Sequence, residues 1–259
     1  MELNLAGKVA IVTGASRGIG AAIAQELARE GCSVVLASRS AEDLKARAKE
    51  IGDASRVEVH PSDLREPAAP AALVAATIAR FGRLDIVVCN AGATKRGDFL
   101  ALTDADWQDG FALKFFAHTR LAKAAWPHLR ERKGSVVLIS GVGGRTPGAE
   151  FTIGGSVNAA VQSFGKALAD RGAADGVQVN TVNPGDIRTD RFDRRLKAAM
   201  QSWGVDAREA EKRMVAEESL TRIGEPADVA NLVSFIVSPR GSYLHGALID
   251  IDGGKTKTM

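Results

Sequence analysis

The stretch KVAIVTGASRGIGAAIAQELARE, residues 8–30, decides the fold. KVAIVT (Lys8–Thr13) reads as a strand of the kind buried on both faces. Residues Ile19–Glu30 carry apolar side chains at helical spacing and read as a helix. Between them lies TGASRGIG, Thr13–Gly20. A glycine-rich turn from strand into helix lets backbone N–H groups approach a pyrophosphate, and the helix N-terminus adds favourable partial charge. The candidate residues in this turn are Gly14, Ser16, Arg17, Gly18, Ile19 and Gly20. A tight turn with no ligand is the plain structural alternative.

The same rhythm continues outward. Strands are predicted at Ser33–Ser38, Arg56–His60, Leu84–Cys89, Ser135–Ser140, Val177–Val182 and Ala247–Ile251. Helical patterns fill Ala41–Ile51, Ala68–Phe81, about Asp104–Glu131 and Ser156–Arg171. Near-continuous Val/Ile/Leu strands separated by helices imply a parallel sheet covered on both faces. Right-handed crossovers then give a seven-stranded, doubly wound α/β sheet. With no linker or repeat, residues 1–259 read as a single domain. A charged, helical insertion at about 186–221 is expected over the carboxyl edge of the sheet, where ligands bind in this architecture.

Composition narrows the function classes. The 259 residues include 34 Lys+Arg and 31 Asp+Glu, a formal net charge of +3 with no long basic run, so no nucleic-acid partner is expected. Apolar residues make up 45% and charged residues 25%, which excludes a disordered or disulfide-stapled chain. Cys32 and Cys89 sit in apolar runs and read as packed hydrophobes; no metal site is expected. Neither a signal peptide nor a run of ~20 apolar residues is seen, so no membrane partner is expected and the expected compartment is the cytoplasm.

An acidic residue at the end of the second strand would accept from an adenosine 2′-hydroxyl and repel a 2′-phosphate. That strand ends instead in Ser38 and Arg39, with Arg17 in the glycine turn. Two guanidiniums suit a phosphate dianion, so NADP(H) is favoured, with NAD(H) possible. Both arginines being merely solvated is the alternative.

These residues resemble the short-chain dehydrogenase/reductase family along essentially the whole chain. The family's glycine loop matches Thr13, Gly14, Gly18 and Gly20, and its Asp-Leu pair beside the adenine matches Asp63 and Leu64. Its Asn-Ala-Gly after the fourth strand matches Asn90, Ala91 and Gly92, although Cys89 stands where a further Asn is usual. Its Pro-Gly after the sixth strand matches Pro184 and Gly185, followed by Ile187 and by Thr189, the position that usually meets the nicotinamide carboxamide. The resemblance implies a Rossmann fold, a dinucleotide cofactor, a small-molecule carbonyl or alcohol substrate, and a homodimer or homotetramer.

It also implies a catalytic Ser, Tyr, Lys and Asn, and here the chain departs. SFGKALAD fixes the register so that the Tyr position falls on Gly154, the Lys position on Asn158 and the Ser position on Gly141, with Ser140 one residue earlier. Trp107 leads to Lys114 at the Asn position. Lys and Asn are thus exchanged between two helices, and the phenol is gone: the chain's single tyrosine is Tyr243, far from this register. Gly154 and Gly155 are expected to leave a void. Lys114, Asn158 and Ser140 become the catalytic candidates, Lys114 because a buried ammonium with a lowered pKa can act as an acid, and Lys114 and Asn158 are also cofactor-binding candidates, at the nicotinamide ribose. His118, Glu150, Thr152 and Asp186 are secondary candidates whose plainer reading is packing or loop structure. The arginines of Arg188–Lys197 suit an anionic substrate, or else a solvated helix face. The leading expectation is an NADP(H)-dependent oxidoreductase with an atypical centre. A non-catalytic nucleotide-binding or interaction subunit, and a lyase or isomerase, stand as rivals.

Overall fold

The computed structural model describes residues 2–257. Seven parallel strands form one sheet: β1 Val9–Thr13, β2 Ser33–Ser38, β3 Val57–Pro61, β4 Ile86–Cys89, β5 Ser135–Ile139, β6 Gln178–Pro184 and β7 Leu248–Ile251. Their order is β3-β2-β1-β4-β5-β6-β7. Ile11 of β1 sits beside Val35 on one side and Val87 on the other, so the chain direction of winding reverses at β1/β4. A doubly wound sheet opens its ligand crevice at that reversal, outside the carboxyl ends of the strands.

The inner strands are apolar on both faces because helices cover both. On one face α1 (Gly18–Arg29) packs against α9 (Pro226–Ile236), with Ile23, Leu27, Val229 and Val233 buried over Ala10, Val12 and Val88. On the other, Leu73 of α3 (Ala69–Phe81), Leu121, Ala125 and Leu129 of α5 (Ala117–Arg132), and Val161 of α6 (Thr152–Asp175) cover Ile11, Val87 and Val136. Local chemistry fixes α2 (Ala41–Ile51): Ser40 accepts from the Asp43 N–H at its start, and Gly52, at φ 87°, ends it in the left-handed conformation. No helix of the described residues is long and apolar enough to cross a membrane.

Three expectations are corrected. The single helix over Asp104–Glu131 is α4 (Asp104–Phe111) and α5 joined by a π turn at Ala112–Phe116. The helix begun at Ser156 starts earlier and ends later, at Thr152 and Asp175, because Gly154 and Gly155 are helical. Residues 226–236, assigned to no element, form α9, opened by Pro226 and a capping box between Glu225 and Asp228. The charged insertion is two helices, α7 (Asp190–Trp203) and α8 (Ala207–Glu217), closed over a small core of Phe192, Met214, Leu220 and Ile223.

Candidate active site

A cleft of about 880 Å³ runs along the carboxyl edge of the sheet, within the size range of ligand sites. Its lining includes Gly14, Ser16, Arg17, Gly18, Ile19, Arg39, Asp63, Leu64, Asn90, Ala91, Gly92, Lys114, Ser140, Asn158, Pro184, Gly185, Ile187 and Thr189. Sites read from eight separate stretches of sequence therefore converge. Of the candidate residues in the glycine turn, Gly20 is the one outside the lining; a side chain there would overlap the Gly14 carbonyl oxygen.

The first half of the cleft is shaped for a dinucleotide. Gly14 and Gly18 take positive φ, 67° and 56°, which glycine adopts without a steric penalty. The N-terminus of α1 has no side-chain cap and no acidic residue in its first turn, so its free N–H groups face the cleft. Thr13 ties β1 to the next wall: its hydroxyl accepts from the N–H groups of Asn90 at 2.9 Å and Ala91 at 3.0 Å. The Asn90 amide donates back to the Thr13 carbonyl at 2.9 Å. At the far end the hydroxyls of Ser38 and Ser62 are buried without a partner, beside Arg39. Unpaired buried hydroxyls are costly, and these two are free to bond a group seated in the cleft. Arg17 pairs with Asp190 of α7 at 2.9 Å, both exposed, an ion pair weak enough to open for a phosphate.

The second half holds the unusual residues. Lys114 projects from the π turn, and its ammonium donates to the Ser140 carbonyl at 2.8 Å. Burial, reinforced by the nearby Arg191 guanidinium, pushes its pKa down to about 7. Asn158 is buried, its amide makes no hydrogen bond, and its Oδ1 has no partner. Gly141 makes room for it: a Cβ there would stand 2.9 Å from Asn158 Nδ2. Ser140 points elsewhere, donating its hydroxyl to the Asn158 backbone carbonyl at 3.0 Å, so it braces β5 against α6. Gln162 donates to the Gly141 carbonyl and to Asn183 Oδ1, both at 3.0 Å, and holds the strand end in place.

The void expected at Gly154 does not exist. The Phe151 ring lies over Gly154, where any Cβ would overlap it, and Arg96 stacks on that ring at 4.3 Å. Phe151 is the N-cap of α6, outside the helix, so helical spacing does not predict that its ring covers Gly154. The secondary candidates disperse. His118 is buried, bonds the Ala91 carbonyl through Nε2 at 2.9 Å and lies outside the cleft lining. Burial holds it neutral, with its pKa pushed down to about 3, so it positions the Asn90–Gly92 segment. Glu150 is exposed, and its carbonyl accepts from the Gly97 N–H. Thr152 stays half-buried in the first turn of α6 with its hydroxyl unpartnered. Asp186 lies in the cleft but is held by Arg195 and by Lys255 at 3.0 Å. Tyr243 is fully exposed between α9 and β7. Both cysteines are buried thiols whose pKa values burial raises to about 12.

A parallel sheet with this strand order and a glycine-lined cleft at its reversal defines a dinucleotide-binding class of α/β protein. Known proteins narrow the class. The family model described as enoyl-(acyl carrier protein) reductase matches residues 14–256. An uncharacterized oxidoreductase of Mycobacterium tuberculosis is 35% identical, over 98% of this chain and 94% of its own. Oxidoreductase UcpA of Escherichia coli K12 is 34% identical, over 98% and 96%. Among solved structures, L-sorbose reductase of Gluconobacter frateurii, complexed with NADPH and L-sorbose, superposes with a TM-score of 0.94 at 31% identity, over the whole of both chains. The chain belongs to the short-chain dehydrogenase/reductase family.

Proposed function

We propose that the protein is an NADP(H)-dependent oxidoreductase acting on a small carbonyl or alcohol, with Lys114 in place of the family's phenol as the proton-transfer group. The observation that carries this is an ammonium bonded to the Ser140 carbonyl, with a near-neutral pKa, lining together with the free amide of Asn158 a cleft whose other half fits a dinucleotide. The pyrophosphate would lie on the glycine turn and the α1 N-terminus; Arg17 and Arg39 would take the 2′-phosphate, with Ser38 and Ser62 as further donors. NAD(H) remains the second choice. The complex of L-sorbose reductase with NADPH supports this reading of the cofactor.

The bound dinucleotide supplies or accepts a hydride at the substrate carbon. This chain must handle the proton. In reduction, the Lys114 ammonium gives its proton to the developing alkoxide and is left as the neutral amine; in oxidation, the amine takes that proton back. A pKa near the working pH serves both directions. Asn158, standing where relatives place a lysine, offers its amide to the nicotinamide ribose. Gly141 leaves space for that amide, and Gln162 holds the Gly141 backbone. The Lys114–Ser140 hydrogen bond holds the ammonium at the cleft wall until substrate displaces it. A homodimer or homotetramer is the proposed assembly.

Lys114→Met tests the role. Turnover is expected to fall by about 10²–10⁴, the worth of a positioned proton donor, with NADPH affinity kept. Unchanged turnover would remove Lys114 from the mechanism.

A further inference from the structure

The cations above Lys114 outnumber what the fold itself uses. Five line this side of the cleft: Arg96, Arg191, Arg194, Arg195 and Lys255. Of the carboxylates beside them, Asp190 is taken by Arg17, which leaves Asp186 and Glu218. Arg195 and Lys255 each bond both carboxylates, so those four groups neutralise one another. Arg96, Arg191 and Arg194 are left over. Among the described residues none of the three side chains makes an ion pair or a hydrogen bond; the one contact is Arg96 on the Phe151 ring. Glu150, exposed on the adjoining loop, lies near enough to attract Arg96 without pairing with it.

Arg96, Arg191 and Arg194 are solvent-exposed as well as unpaired, and each stays charged, so an anion can reach them. Partial desolvation in the cleft, then like charge, push the pKa values of Arg96 and Arg191 below the ordinary arginine value, with Arg195 acting on Arg96 and with Arg96, Arg194 and Arg195 acting on Arg191. The cofactor's phosphates are assigned to the glycine turn, near Arg17 and Arg39, and that turn meets α7 through Thr189 and Asp190. Arg191, next along α7, acts on Lys114 and lies in the field of Arg96, on the side of the cleft away from that turn. Arg96 sits on the ring that fills the space at Gly154, at the reacting end.

We propose that Arg96 and Arg191, with Arg194 behind them, form an anion subsite that selects substrates carrying a carboxylate or phosphate group near the reacting carbonyl. Forked guanidinium donors match both anions. The proposal rests on the oxidoreductase reading for the word substrate, but not for the binding site itself. An anion seated there would also counter the Arg191 charge felt by Lys114 and keep its ammonium protonated for donation.

The test uses the NADP+-loaded protein and matched probes that differ in charge: benzoylformate, 4-oxopentanoate and 5-oxohexanoate, each beside its methyl ester, and dihydroxyacetone phosphate beside dihydroxyacetone. Calorimetry gives affinity, and NADPH oxidation gives turnover. The anionic member of at least one pair is expected to bind tenfold or more tighter. That preference is expected to fall at least tenfold in Arg191→Gln and in Arg96→Gln while NADPH affinity holds. The keto acids and the keto phosphate, compared with each other, identify the preferred anion. No anionic probe binding at millimolar concentration, equal binding within every pair, or a preference that survives both substitutions would each overturn the subsite. Charge-selective binding without turnover of any probe would keep the subsite and count against the oxidoreductase reading instead.

Discussion

Gly154, Gly141 and Gly92 each omit a side chain, and in each case a neighbour occupies the volume. The Phe151 ring covers Gly154, the Asn158 amide lies 2.9 Å from a Cβ on Gly141, and the Lys114 stem lies 2.9 Å from a Cβ on Gly92. The family's tyrosine therefore cannot simply be restored. Gly154→Tyr is expected to lower stability by about 1–3 kcal/mol, as overpacking does, and Gly154→Tyr with Phe151→Gly to regain most of it, both read by urea unfolding. Lys114 gives a second residue-scale prediction. Its folded pKa of about 7 lies below the unfolded 10.5, so the unfolded chain binds more protons between these values, and this group's contribution to stability rises with pH across that window. Below pH 7 the penalty of the buried ammonium is full. Lys114→Met should therefore gain most over the parent below pH 7, and the difference should shrink toward pH 10.5, measured on cofactor-free protein. The proposed loss of the phenol rests on the tyrosine count and the Gly165–Ala169 register, both read from the sequence. Which side chain took its place was not legible there, because that depends on the rotamer of Phe151.

At the scale of elements, legibility followed local chemistry. β2 and α2 were read to the residue, since Ser33–Ser38 is uniformly strand-forming and α2 is bounded by Ser40 and Gly52. The π turn at Ala112–Phe116 was invisible, because apolar periodicity continues across it while the hydrogen-bond ladder slips by one residue. It matters because it carries Lys114, and π turns gather at functional sites. The helix α9 was missed because its Pro226 start signal lies inside a stretch read for its family pattern. The end of β2 supports a third prediction. Arg39→Ala should lower the NADPH-over-NADH preference in binding by about tenfold, the loss of one charge-assisted phosphate contact. No change in that ratio would assign the 2′-phosphate to other groups.

Across the whole molecule, the parallel sheet delivers Gly14, Asn90, Ser140 and Pro184 to one edge, and α7 closes over them with its arginines. Fold and cofactor cleft were legible because the glycine turn and strand spacing are local signals with global consequences. The surplus of guanidiniums was not, since it appears only once Asp186 and Glu218 are seen to be taken by Arg195 and Lys255. Phe99, Leu100 and Phe116 are large exposed apolar side chains near α4 and the π turn. Light scattering is expected to give a dimer or tetramer, and Leu100→Asp with Phe116→Asp to shift it toward smaller species; a monomeric parent would refute the assembly.

The central claim is that hydride chemistry persists here with Lys114 handling the proton. The direct measurement is deuterium transfer from C4-deuterated NADPH to a carbonyl substrate, in parent and Lys114→Met, across pH 5.5–9. The parent should yield alcohol labelled at the reacting carbon, with reduction declining above pH about 7. The variant should transfer label about 10²–10⁴ more slowly and lose that decline while binding NADPH normally. Equal transfer and an unchanged pH profile in the variant would contradict the account.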